Sequence, residues 1–316
     1  MPKIPLVVVA GPTGVGKTET SVKIAKALDA EIISGDSMQI YKYMNIGTAK
    51  IEESEKEGVV HHLIDILHPS EDFSVCSFAN LCKEKIENIT QRGKLPVIVG
   101  GTGLYIDSVV DGITFSPQKS DEEYREYLLH LANTQGNEYV HSMLKDIDKE
   151  SYEKIHPNNV KRVIRALEYY KLTGETISEH NEKTKMSDSP YNCCYIFLTR
   201  DREDLYERID KRVDLMIENG LIEETKNLLD MGLTPDCTSM QAIGYKEIGE
   251  YLSGEVSYDE AVDTLKKNSR HYAKRQITWF SRRKDAFIVN LSTESDPMEK
   301  CLEYIKNTLR KGECDS

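Results

Sequence analysis

Residues 11–18 read Gly11-Pro12-Thr13-Gly14-Val15-Gly16-Lys17-Thr18, the pattern G-x4-G-K-[ST]. The chemistry of such a string is the grip of a di- or triphosphate. Glycines let successive backbone N–H groups face an anion, Lys17 adds a point charge, the following helix adds the partial positive charge of its N-terminus, and Thr18 offers a hydroxyl to Mg2+. The pattern is common to kinases and to every other user of diphosphates. A second chemical string is Asp36-Ser37-Met38-Gln39-Ile40-Tyr41. At the carboxyl end of a parallel strand Asp36 could serve as a proton acceptor, and it could equally cap a helix. A third, Gly100-Gly101-Thr102-Gly103-Leu104-Tyr105, supplies a threonine hydroxyl for a phosphate oxygen or forms a simple turn.

Those residues must be carried to one place by a frame. Short apolar runs at residues 6–10, 31–34, 62–66 and 96–99 alternate with stretches long enough for crossover helices. That alternation predicts βαβ units, a parallel sheet and an α/β fold of the P-loop type. From Ser120 to about Thr173 the text is polar and helical, a helical insertion assigned to residues 116–190 between a core made of 1–115 and 191–316. Ser116-Pro117 and Ser187-Asp188-Ser189-Pro190 mark its borders as polar turn formers. Further strands are expected at 193–198 and 286–291, with helices between them stopping at Asn219-Gly220 and Met231-Gly232, and a frayed tail over 311–316.

The chain of 316 residues carries 53 Asp+Glu against 41 Lys+Arg, a formal charge of -12. Such a balance excludes a protein that coats nucleic acid uniformly, because phosphate binding requires clustered positive charge. Hydrophobic residues at 39% and charged residues at 30% suit a folded globular protein. No run approaches the ~20 apolar residues of a membrane span, and residues 4–10 are too short for a signal peptide, so a cytoplasmic protein without membrane contact is expected. The cysteines Cys76, Cys82, Cys193, Cys194, Cys237, Cys301 and Cys314 form no Cys-x-x-Cys pair and read as reduced thiols. His61 and His62 are adjacent in a strand, where neighbours point to opposite faces, which places them poorly for sharing a metal ion. Asp65 at that strand end is either a turn cap or a water-mediated partner of Mg2+.

Seven strings in order resemble the bacterial tRNA dimethylallyltransferase family over residues 6 to about 283. They are GPTGVGKT; Asp36-Ser37-Met38-Gln39 with Asn45-Ile46-Gly47-Thr48-Ala49-Lys50; His61-His62-Leu63-Ile64-Asp65-Ile66; Gly100-Gly101-Thr102-Gly103-Leu104-Tyr105; His156-Pro157-Asn158-Asn159 with Arg162 and Arg165; Ile243-Gly244-Tyr245-Lys246-Glu247; and Ala273-Lys274-Arg275-Gln276-Ile277-Thr278-Trp279-Phe280. Each is short, but the ordered set is specific. The resemblance implies transfer of a dimethylallyl group from dimethylallyl diphosphate to the exocyclic amine of the adenosine 3′ of the anticodon; Mg2+ is the expected cofactor and a monomer the expected state. Residues Gly11 to Thr18 would grip the donor's diphosphate, Asp36 would accept the amine proton, and Thr102 would hydrogen-bond the leaving group. Arg208 or Arg212, i,i+4 on one helix face, would neutralise it, unless the pair is engaged with Asp204 or Glu207.

The same resemblance assigns tRNA contacts to Asp36, Ser37, Met38, Gln39, Arg125, Lys161, Arg162, Arg165, Gly244, Tyr245, Lys246, Arg270, Lys274 and Arg275. Between Thr264 and Lys284 the bases Lys266, Lys267, Arg270, Lys274, Arg275, Arg282, Arg283 and Lys284 occur with no acidic residue and with Tyr272, Trp279 and Phe280 interleaved. An otherwise acidic chain thus has the local basic patch that RNA requires, the alternative being a solvated surface helix. Other readings of the chemistry are an adenylate dimethylallyltransferase, which needs no RNA patch, a small-molecule P-loop kinase, and a non-catalytic RNA-binding ATPase.

Overall fold

The computed structural model describes residues 3–112, 121–185 and 189–314. Two compact units form, one from Met1–Val110 with Pro190–Ser316 and one from Asp111–Ser189. The first is built on a six-stranded sheet in the order β3-β2-β4-β1-β5-β6, with β1 Ile4–Ala10, β2 Ala30–Ser34, β3 His61–His62, β4 Leu95–Gly100, β5 Tyr191–Thr199 and β6 Phe287–Asn290. All pairings are parallel. The central strand is apolar on both faces, as a strand covered by helices must be: Leu6, Val7, Val8, Val9 and Ala10 are all fully buried. Because β1 lies between β4 and β5, chain order reverses there, and the ends of β1, β2 and β4 open on one crevice.

The expected third strand at 62–66 is corrected to the pair His61–His62. Leu63 and Asp65 have φ of 61° and 57°, left-handed positions that end an extended run, and the chain returns to bond Asp65 N–H to Gln39 C=O and Ile66 N–H to Ile40 C=O. Each histidine ring is separately engaged, His61 Nδ1 at 2.9 Å from Val59 C=O and His62 Nε2 at 2.7 Å from Glu31. Asp65 pairs with Lys50 Nζ at 2.5 Å. The last helix continues from Pro297 to Cys314, so residues 311–314 are helical where fraying was expected; residues 315–316 lie outside the described residues.

Close approach of β2 and β4 depends on one missing side chain. A Cβ on Gly100 would stand 2.3 Å from the Gly35 carbonyl oxygen. Gly100→Ala should therefore destabilise the protein by roughly 1–3 kcal/mol through overpacking against backbone, seen as a lower denaturation midpoint; an unchanged midpoint would contradict this contact.

The second unit contains the helices Glu122–Gln135, Asn137–Ser142, Lys149–Lys154, Val160–Thr173 and Ile177–Lys185. Its core joins Leu128, Val140, Leu144, Val163 and Leu167. The border string Ser116-Pro117 and residues Ser187-Asp188 lie outside the described residues.

Candidate active site

The P-loop turns from the end of β1 into the helix Lys17–Leu28. Gly14 and Gly16 have φ of 78° and 109°, conformations strained for any residue with a Cβ. Lys17 Nζ donates to the carbonyls of Gly11 at 3.0 Å and Pro12 at 2.8 Å. Burial pushes its ammonium down to about 7, with nearby Arg212 adding to the shift and Asp36 opposing it. A bound polyanion would supply the countercharge that this lysine lacks.

The two candidate arginines have different roles. Arg208 Nε donates to Gly14 C=O at 3.0 Å, bracing the loop from outside. Burial lowers the pKa of Arg212, one turn later in the helix Arg202–Glu218, while the charges of Asp36 and Glu55 oppose that shift. The alternative salt bridges are already occupied: Asp204 pairs with Arg200 at 2.8 Å and Glu207 with Lys211 at 2.6 Å. Lys17, Thr18, Asp36, Arg208, Arg212 and Tyr272 line one cleft of about 740 Å³. A second cavity of about 300 Å³ shares Thr13, Asp36, Thr48, Arg212 and Tyr272 with it and adds apolar walls from Met38, Val213, Met216 and Ile243.

Asp36 stands on the wall common to both cavities. The helix-cap reading is overturned, since the next helix begins at Glu53; instead Asp36 Oδ1 accepts the Met38 N–H at 2.9 Å and closes an Asx turn. Thr102 sits where β4 ends, but its Oγ1 accepts the Ser37 N–H at 3.1 Å and lies 3.3 Å from the Ser37 hydroxyl. In this position it braces the Asp36 loop from the end of β4. Gln39, expected at the RNA, lines the larger cleft, its amide bonding Ser34 Oγ at 3.0 Å and the carbonyls of Thr48 and Ala49.

Other residues expected at the RNA have partners within the protein. Gly244 is buried and Tyr245 is 0% exposed. The Tyr245 hydroxyl donates to Glu224 at 2.6 Å, and burial together with that carboxylate raises its pKa. Glu224 also takes the N–H groups of Asn45, Ile46 and Gly47 at 2.9, 2.9 and 3.1 Å, so it organises the loop opposite Asp36. Lys246 remains exposed. Arg125 and Arg165 converge on Glu168, whose side chain is fully buried, at 2.8 Å each; two cations there offset the burial of one carboxylate. Lys161 and Arg162 are exposed.

In the basic stretch, Lys266 pairs with Asp214, Arg270 with Asp210 and Arg283 with Asp107. Trp279 donates to Asp107 at 2.6 Å and Phe280 is buried. Lys267, Lys274, Arg275, Arg282 and Lys284 are exposed and, among the described residues, form no ion pair. Positions 267, 271, 274, 275 and 278 repeat at helical spacing, so Lys267, Lys274 and Arg275 lie along one stripe of the helix Tyr258–Phe280, and Arg282 and Lys284 follow past its end.

Sequence reading placed Tyr272 only among the aromatics of the basic stretch and gave Gln276 no role of its own; the two lie i,i+4 on the same helix, Tyr258–Phe280. Burial plus the charge of Asp36 pushes the Tyr272 hydroxyl up to about 12, with the neighbouring Thr102 and Gln276 side chains opposing the shift. The only available signal was their register on the face away from the exposed bases. Among the described residues no cluster of three His, Cys, Asp or Glu side chains gathers to hold a metal, and no helix there is long and apolar enough to cross a membrane. Thr18 is exposed in the cleft beside Lys17, a fit for Mg2+ that arrives with phosphate oxygens as most of its ligands.

A parallel sheet with a P-loop, a carboxylate and an arginine at its carboxyl edge defines an enzyme that works on a phosphorylated substrate. The chain matches the IPP transferase family model over residues 39–284 and an isopentenyl transferase model over residues 4–67, and it belongs to the IPP transferase family. Among solved structures it is 48% identical to the tRNA isopentenylpyrophosphate transferase of Bacillus halodurans, over 98% of each chain with a TM-score of 0.75. It is 42% identical to the tRNA delta(2)-isopentenylpyrophosphate transferase of Staphylococcus epidermidis, over 97% of this chain and 99% of that one, TM-score 0.70. A eukaryotic dimethylallyltransferase acting on tRNA is 30% identical over 92% of this chain and 74% of that one, TM-score 0.76.

Proposed function

We propose that the protein transfers a dimethylallyl group from dimethylallyl diphosphate to the exocyclic amine of the adenosine 3′-adjacent to the anticodon of tRNA. The observation that carries this reading is the position of Asp36 on the wall shared by a cationic phosphate cleft and an apolar-lined cavity. The P-loop amides, Lys17 and Arg212 hold the diphosphate. The amine nitrogen bonds to the allylic carbon as the carbon–oxygen bond breaks, the bonding pair leaves with diphosphate, and the amine proton passes to the Asp36 carboxylate. An aromatic amine is a poor nucleophile and the leaving group carries several charges, so electrostatic stabilisation by Lys17 and Arg212 supplies the largest share of the rate. Thr18 would help to hold Mg2+, which would supply further charge neutralisation. The adenosine must leave the anticodon stack, at a cost of a few kcal/mol.

The exposed stripe formed by Lys267, Lys274 and Arg275, with Arg282 just past the helix end, favours tRNA over a free nucleotide as acceptor, with Lys161 and Arg162 as further phosphate contacts in the helical unit. The enzyme acts as a cytoplasmic monomer. The test is incubation with dimethylallyl diphosphate, Mg2+ and either unmodified tRNA or AMP, followed by mass analysis of nucleosides. Modified tRNA adenosine supports the reading, and modification of AMP alone would overturn it. Replacing Lys267, Lys274 and Arg282 together with Gln should lower the slope of log affinity against log salt by about two to three units. A slope equal to that of the unaltered protein would return the stripe to a solvated surface.

A further inference from the structure

The P-loop is held by a side chain from far along the chain. Gln276 is only 4% exposed. Its Oε1 accepts the Thr13 N–H at 2.8 Å, and its Nε2 donates to Gly101 C=O at 2.9 Å. The amide orientation is unambiguous, because a backbone N–H can only donate and a carbonyl can only accept. A trans peptide directs its N–H and C=O to opposite sides. Holding the Thr13 N–H therefore turns the carbonyl of the same peptide, Pro12 C=O, the other way, where Lys17 Nζ donates to it at 2.8 Å. Gly101 makes room for this bridge: a Cβ there would stand 2.1 Å from Gln276 Nε2. Its φ is not in the left-handed region, so an alanine would be opposed by the glutamine alone.

We propose that Gln276 is a positioning residue for Lys17: by fixing the Pro12–Thr13 peptide against the end of β4 it places the lysine ammonium for the diphosphate. Gln276 acts through the peptide plane and not on the substrate. The inference rests on the P-loop being the diphosphate site. Its consequence is that the helix bearing the exposed basic stripe also sets the geometry of the donor site, through a buried residue one turn from Tyr272.

The experiment is a double-mutant cycle. Binding of inorganic diphosphate with Mg2+ is measured by calorimetry for the unaltered protein, Gln276→Leu and Gly101→Ala, each with Lys17 present and with Lys17→Ala. Binding of an anticodon stem-loop RNA is measured alongside. With Lys17 present, each variant should weaken diphosphate binding by about tenfold, the scale of a misplaced charge-assisted hydrogen bond, with RNA affinity unchanged. In the Lys17→Ala background neither should weaken it further. Additive losses, or equal losses of RNA binding, would assign Gln276 to general packing and overturn the proposal. Unaltered diphosphate binding by Gln276→Leu also overturns it while leaving the P-loop assignment standing. Failure of the unaltered protein to bind diphosphate would remove both.

Discussion

Asp36→Asn should lower turnover by about 10²–10⁴-fold, the scale of a positioned general base, while leaving the fold and the binding of both substrates intact. Asparagine is nearly isosteric and retains the Oδ1 that accepts the Met38 N–H, so the Asx turn survives. What disappears is the proton acceptor on the wall between the two cavities. Single-turnover rates with tRNA, thermal melts and substrate affinities together make the test. A variant with near-normal turnover, or one inactive only because it unfolds, would confine Asp36 to the turn.

Lys17→Ala should weaken inorganic diphosphate by roughly 10- to 100-fold, the loss of one charge-assisted contact, with tRNA affinity unchanged. The pH dependence separates this lysine from the neighbouring arginines. Its pKa is about 7 in the folded protein against an ordinary 10.5. Between those values the unfolded chain holds the proton and the folded one releases it, so the lysine's contribution to stability rises with pH across that window. Below 7 its burial penalty is fully present. A bound anion reverses the preference and draws a proton in. Above pH 7 the dissociation constant for diphosphate should rise by up to about tenfold per pH unit relative to Lys17→Ala, with proton uptake visible as a buffer-dependent heat. Parallel pH profiles for the two proteins would contradict the titration of Lys17 in the site.

The difference between Arg208 and Arg212 shows how far spacing alone carries. Their i,i+4 register puts both on one helix face, but only packing decides that one guanidinium meets the Gly14 carbonyl and the other faces Asp36. Tyr245 carries the same lesson with the opposite outcome. It sits in a string expected at the RNA, and the fold buries it against Glu224 because that carboxylate needs its hydroxyl and the amides of residues 45–47.

The amino-acid sequence by itself determined the P-loop, the parallel α/β architecture and the candidate base, because each rests on local rules: glycines where backbone must face an anion, short continuous apolar runs, and a carboxylate just past a strand. It also determined the family, through ordered strings. Only the tertiary structure decided which bases remain free for RNA, since Lys266, Arg270 and Arg283 find acidic partners 52, 60 and 176 residues away in sequence. It likewise decided that Gln276 reaches Thr13 across 263 residues of chain. Such pairings are made by non-local contacts, which no spacing along a single helix or strand encodes.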